Sequence, residues 1–428
     1  MLKKLVRWNK PASYALFFII LPLFFSGCFG LFEEETEPGI AIETAEDLAK
    51  IGRDSEYPLN GNYHLNADID LAAYDRWTPI GFRDQEPFRG IFDGRDKTIK
   101  NLRLGEEGPE ETPLAIGLFG YTFLAKIQDL NIEIAEDSPS LVLTADLEQY
   151  VGALAGKAEK TMLFNITVLG KGISANKARG RTGGVYLGGI AGYLVQSTAE
   201  RCDSRPALAA DTGNGAAYAG GIAGYVDTSA VLQRNRASGD ISAGGDSAYA
   251  GGIAGDNANG IIRDNYAAGD VSAFGISGEA SAGGIAGRNS GAVRNTYAAG
   301  DVAAETGGVA YAGGIAGFSF SPGTIENSAA RSALIKVTAP DPNTNRNAGR
   351  ISGSAAGIAT GIAFNGMEIE AYEDASSSTP STPSPGVAGD GVSMEALQNR
   401  RAYAENGLGW DFDILWDWDP AEKTPKIR

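Results

Sequence analysis

Gly188-Gly189-Ile190-Ala191-Gly192 returns, residue for residue, at 220–224, 251–255, 283–287 and 313–317. Counted from the first glycine, the spacings are 32, 31, 32 and 30 residues. Weaker copies extend the series. VGALAG places Gly152 36 residues before Gly188, IGLFG places Gly117 35 before that, and SGSAAG places Gly353 40 after Gly313. Eight units are therefore visible between about 115 and 365. Three glycines in five residues lose roughly 1 kcal/mol each relative to alanine in a helix, so a helical bundle is the wrong architecture. A near-constant period without proline-marked helix pairs points to a solenoid.

Inside each unit the pattern is that of strands. In Tyr218-Ala219-Gly220-Gly221-Ile222-Ala223-Gly224 an extended chain alternates faces, which puts Ile222 with Ile190, Ile253, Ile285 and Ile315 on one side. Leu118 and Leu154 hold the same place in the early copies. Stacked at about 4.8 Å per rung, these residues form an aliphatic ladder inside a parallel column. A second strand follows a Gly-Asp turn, where Gly239, Gly269 and Gly300 precede Asp240, Asp270 and Asp301 and then an inward Ile or Val. The pentad glycines serve tight corners and close backbone approach.

Two side-chain rows ride on the period. Tyr150, Tyr186, Tyr218, Tyr249 and Tyr311 stand two residues before the first glycine, with Ser281 interrupting. Asn165, Asp264, Asn295 and Asn327 stand five before the turn or its equivalent, with Arg201 and Arg234 interrupting. Stacked amides bond along a ladder and stacked rings bury area. The tyrosines are the candidate ligand row, a platform for a glycan. Their parity with the isoleucines predicts that the rings point inward, which would defeat that role.

Bulk properties set the class. Glycine contributes 58 of 428 residues, without a collagen-like period, and the formal charge is −17. That balance excludes a basic footprint for nucleic acid. At the N-terminus, Lys3, Lys4, Arg7 and Lys10 precede the apolar run from Tyr14, which is too short to span a bilayer comfortably and reads as a signal peptide. It ends in Phe25-Ser26-Gly27-Cys28, which resembles the lipobox of bacterial lipoproteins, with Phe25 where an aliphatic is usual. That resemblance implies cleavage after residue 27, acylation of Cys28 and a stable membrane anchor, since several acyl chains hold where one is marginal. The chain after cleavage carries −21. With Cys28 acylated, Cys202 is left without a disulfide partner and reads as a small buried hydrophobe.

The units resemble the GLUG repeat, whose Gly-Leu-hydrophobic-Gly stands here as Gly117-Leu118-Phe119-Gly120 and as the GIAG ending of each pentad. PFRGIFDGRDKTIKNLRL (87–104) and LNADIDL (65–71) are similar to the segments that lead into such repeats, and GWDFDILWDWDPAEKTPKIR to a terminal unit. The resemblance covers about 40–428. It implies a right-handed parallel β-solenoid on the bacterial exterior and no catalytic residues.

The organisation that follows is a signal peptide (1–27), an acidic spacer (28–39), an N-terminal cap with first strands (40–114), the repeats (115–372), a Ser/Thr/Pro-rich linker or loop (373–391) and a Trp-rich C-terminal cap (392–428). Thr44-Ala45-Glu46-Asp47 resembles a capping box opening a short helix that lids the first rung. Trp410, Trp416 and Trp418 are expected to cap the apolar interior at the other end.

The search for chemistry comes back nearly empty. His64 is the one histidine, which excludes His-based zinc clusters and His-dependent triads on this chain, and no P-loop is present. No cofactor is implied. Carboxylates remain: Asp68 and Asp70 in LNADIDL, and the turn row Asp240, Asp270 and Asp301, which could also hold Ca²⁺ weakly. Repetition argues against catalysis there, because an active site is one asymmetric constellation. The expectation is a non-catalytic, adhesin-like or structural lipoprotein, surface-exposed on the outer membrane, with a host protein or glycan as partner. The alternatives are a glycan-degrading enzyme on the same scaffold and a periplasm-facing assembly lipoprotein. Three adjacent, non-repeating acid and base side chains on one sheet face would favour the enzyme. A smooth Gly/Ala/Ser face would favour binding.

Overall fold

The rung from 231 to 257 shows the plan. Val231–Gln233 and Arg236–Ala237 lie in a seventeen-stranded sheet, Ile241–Gly245 in an eight-stranded one, Ser247–Gly251 in a nine-stranded one and Ala254–Asn257 in a seven-stranded one. Neighbouring rungs pair in parallel, one repeat apart: Tyr218 faces Tyr249, Gly220 faces Gly251 and Ala223 faces Ala254. The chain is thus an all-β solenoid of about nine turns, in a computed structural model that describes residues 39–105, 113–340, 346–354, 358–372, 384–385, 388–400, 403, 408, 410–412 and 415–427. Cys28 and most of 373–391 lie outside the described residues.

The pentad is the corner between the nine- and seven-stranded sheets. Leu118, Leu154, Ile190, Ile222, Ile253, Ile285 and Ile315 are all fully buried in one core. Their amides continue the ladder through the bend: Ile222 N donates to Ile253 O at 2.9 Å, Ile253 N to Ile285 O at 2.9 Å and Ile285 N to Ile315 O at 2.8 Å. These bonds satisfy the amides and carbonyls of the buried isoleucines, as a buried bend requires. The eighth copy is shifted from its sequence alignment. Gly313 pairs with Gly349, and Ile315 N bonds Ile351 O at 2.9 Å, so the corner is Gly349-Arg350-Ile351-Ser352-Gly353 and the spacing is 36, not 40. An inward aliphatic fixes the corner, and Ile351 is the residue that supplies it.

The Asn row explains itself through the backbone. Asn165, Arg201, Arg234, Asp264, Asn295 and Asn327 all hold left-handed φ between 50° and 58°, a region Asn and Asp tolerate best. Asn165 Nδ2 reaches Asp129 Oδ1 at 2.6 Å and Asn295 Nδ2 reaches Asp264 Oδ1 at 3.1 Å. The next residue points inward. There the Asn235 side chain bonds the Cys202 amide at 2.9 Å and the Asn265 side chain bonds the Asn235 amide at 2.9 Å. Cys202 belongs to this interior row, and burial pushes its thiol up to about 12.

At the first rung, Thr44 caps the helix Ala45–Lys50 by accepting the Asp47 amide at 3.1 Å, and Leu48 and Ile51 are buried in the main core. The tryptophans behave otherwise than expected. Trp410 and Trp416 are buried, yet with Tyr297, Ala329 and Tyr403 in a cluster separate from the interior. Tyr297 faces away from Ala298, which belongs to the core, and Trp410 Nε1 donates to Asn327 O at 2.8 Å. Among the described residues, the C-terminal segment therefore covers an outer flank of the column, and its tryptophans do not join the interior core. Among the described residues no helix is long and apolar enough to cross a membrane.

Candidate functional site

Glycine at both ends of the pentad lets two sheets fold against each other on the outside. A Cβ on Gly220 would come within 2.7 Å of Ala254 Cα, and one on Gly224 within 2.7 Å of the Leu187 amide. The outer faces of the nine- and seven-stranded sheets thus meet in a crease floored by backbone. Above that floor, Tyr218 lies on the face opposite Ala217 and Ala219, which are fully buried in the core. The tyrosines therefore point outward, against the parity expectation. Parity counted from Tyr218 to Ile222 runs through the bend, and the bend exchanges inside for outside.

The opposite wall carries the residue that follows the final glycine. Tyr193, Tyr225, Asp256, Arg288 and Phe318 occupy it in successive rungs, preceded by Tyr121 and Lys157. Rings stack along each wall, Tyr186 on Tyr218 at 4.6 Å and Tyr193 on Tyr225 at 4.9 Å. They also meet edge-on across it, Tyr218 with Tyr225 at 5.6 Å. Burial raises these phenols, that of Tyr225 to about 12. Tyr150 and Tyr186 donate to Glu148 at 3.0 and 3.1 Å, and Tyr193 to Asp227 at 2.9 Å. Tyr311 stacks on Phe318 at 4.5 Å further along. Sequence reading missed this second wall. The signal was the variable bulky or charged residue after each constant pentad.

In the middle of the crease the pattern breaks into a charged group. Arg288 lies over the rings of Tyr249 and Phe320 at 5.0 and 5.2 Å. Its Nη1 is 3.5 Å from Asp256 Oδ2 and its Nε 3.7 Å from Glu279 Oε1. Glu279 Oε1 and Arg288 Nε are buried without a hydrogen-bond partner. Asp256 is 4% exposed, and burial pushes its carboxyl up to about 6 despite Arg288; burial raises Glu279 as well. These are three adjacent, non-repeating acid and base side chains, although they stand on two sheets, Glu279 on the nine-stranded and Asp256 and Arg288 on the seven-stranded, and not on one sheet face.

The other candidates are absorbed by the fold. Asp240 Oδ1 accepts the Asp270 amide at 2.9 Å, Asp270 Oδ1 the Asp301 amide at 2.8 Å, and Asp301 Oδ1 the Ala333 and Leu334 amides at 2.9 and 2.8 Å. They border a trough of about 590 Å³ whose floor includes Ala209, Ser242, Ser272 and Ala303. Among the described residues no group of three or more His, Cys, Asp or Glu could hold a metal ion. Asp68 is held low first by the Thr98 amide and then by Lys100, and Asp70 first by Asn101 and then by the Ala72 amide, so both are ionised structural acceptors.

No family model matches the chain. An alignment over 168 residues, covering 37% of this chain and 2% of the other, is 30% identical to halomucin of Haloquadratum walsbyi. A Bacteroides ovatus structure provisionally described as an immunoglobulin A1 protease is similar at 20% identity over 92% of this chain and 93% of the other, with a TM-score of 0.48.

Proposed function

We propose that this chain is a lipid-anchored, GLUG-type surface protein that binds an extended glycan along the tyrosine crease in an adhesin-like role, without catalysing a reaction. The observation that carries the reading is the outward direction of both aromatic walls. The walls run through the seven-stranded sheet, a distance of about 30 Å at one rung per ~4.8 Å, with Lys157, Asp256 and Arg288 interrupting one and Ser281 the other. Aromatic bodies with polar tips suit sugars, which offer an apolar ring face and hydroxyls together. The anchor rests on the lipobox resemblance at Cys28, and the outer location on the repeat resemblance.

Protease shaving of intact cells tests the location, with an antibody to the repeats and a periplasmic control protein. Loss of repeat signal while the control survives is the expected result. Protection until the outer membrane is opened would sink the adhesin reading and leave a periplasm-facing assembly role. Cys28→Ala should abolish incorporation of labelled fatty acid.

The Asp256–Arg288–Glu279 group favours a second reading, glycoside hydrolysis. A carboxyl that is still about half protonated near pH 6 can donate to a glycosidic oxygen while a second carboxylate activates water or attacks. New reducing ends released from a bound polysaccharide, and their loss in Asp256→Asn, would establish it. Binding without release in both proteins would exclude it.

A further inference from the structure

The crease begins in a pocket of about 210 Å³ at the N-terminal end of the seven-stranded sheet, lined by Asp84, Arg89, Tyr121, Phe123, Lys157 and Glu159 among others. Resting on the glycan-binding reading, we propose that this pocket takes an acidic sugar residue, one bearing a carboxylate or a sulfate, and so sets the end and the charge of the bound chain.

Charge carries the argument first. The Arg89 guanidinium lies over the Phe123 ring at 4.5 Å, and the Lys157 ammonium lies 5.7 Å from both the Tyr150 and Tyr193 rings. Among the described residues neither cation has an ion-pair partner, although the whole chain carries −17. Glu159 is already engaged by Lys160 at 3.4 Å, and that ammonium also lies over Phe123, at 5.0 Å. The lining thus sets Arg89 and Lys157 against Asp84 and Glu159, and Glu159 is already occupied by Lys160 from beside the pocket. Ring faces hold the cations in place but do not neutralise them, and an anionic group bonded by both would gain charge-assisted hydrogen bonds.

The walls favour a sugar over an acidic peptide. A peptide bound by strand addition needs a free sheet edge. Here the edge strand Phe119–Phe123 is already covered, through bridges from Ile80 to Phe119 and from Phe88 to Thr122. Asp84 is exposed and has no ion pair among the described residues, so it is available to accept from hydroxyls. The volume suits one sugar-sized group, below the range of drug-sized sites. Lys157 lines the pocket and also touches the first tyrosines of the crease, so the rest of a chain would pass directly onto the aromatic walls.

The test is titration calorimetry on residues 39–428, which form one compact unit. Four oligosaccharide probes would be used: a sialylated, a glucuronate-containing, a sulfated and a neutral one of matched length. At low salt at least one acidic probe should bind ten-fold or more tighter than the neutral one, with the gap closing at 0.5 M NaCl. Arg89→Gln/Lys157→Gln, and Lys157→Gln alone, should remove that preference and leave the melting temperature unchanged. Preference for the carboxylated or for the sulfated probe identifies the anion. Equal binding of acidic and neutral probes, or a preference that survives in the double variant, overturns the pocket assignment. In that case neutral binding that Tyr218→Ala weakens would still uphold the crease. No binding of any probe would sink both.

Discussion

At the scale of single residues, the decisive groups are the ones with no tolerance for exchange. Ile253 is fully buried at the corner, and its amide and carbonyl both serve the ladder. Ile253→Asp would place an unpaired carboxylate in the aliphatic core and should cost several kcal/mol. An unchanged thermal melt would contradict the rung assignment. Asp256 supplies the second residue-scale test. Its folded-state value of about 6 lies above the unfolded value near 3.9, so between those values the native state holds more protons. Stability from this group is present below pH 4 and is lost as pH rises through 6. Asp256→Asn should therefore shrink that loss, by up to about 3 kcal/mol for a two-unit shift. Asp256 also helps raise Glu279, so the difference between the two pH profiles carries the titration of the coupled pair. Superimposable profiles would show that Asp256 titrates normally.

At the scale of elements, each ladder couples one rung to the next. Asp270→Ala removes the acceptor of the Asp301 amide and should cost about 1 kcal/mol in urea titrations. Chelation should leave both proteins' melts where they are, and a large chelator-dependent drop would make the turn row a cation site. Much of this level was legible in the sequence. The isoleucine ladder and the inward Ile241, Val271 and Val302 follow from periodicity alone, because burial selects the same side chain at every turn. The facing of the tyrosines was not legible. Alternation holds along a strand, and the three residues between Tyr218 and Ile222 cross a fold in the backbone that no propensity scale marks. The charged group of Asp256, Glu279 and Arg288 was hidden for a related reason: its members sit in two adjacent rungs, on two walls, and become neighbours only once the register is known.

At the scale of the whole molecule, the column is a sum of neighbour contacts with two dissimilar ends. The N-terminal helix was readable because a capping box is a local signal. The C-terminal segment was not, since its tryptophans pack against Tyr297 and Ala329, residues from earlier rungs whose outward faces carry no local sign of being covered. Trp410→Ala removes a buried ring and its bond to Asn327 and should lower stability by roughly 3–5 kcal/mol. A second, earlier melting step in that variant would show that the flank cover unfolds apart from the column. One cooperative step at a lower temperature would show that the two unfold together.

Five identical corners also make the length of the molecule a free variable. Loss or gain of one 31-residue unit joins Gly-Gly-Ile-Ala-Gly to Gly-Gly-Ile-Ala-Gly, so the register heals and neither end is disturbed. Each such event changes the reach of the crease by about 4.8 Å. The same event also chooses which side chain follows the corner, so sister chains could differ in span and in wall chemistry while keeping the same scaffold.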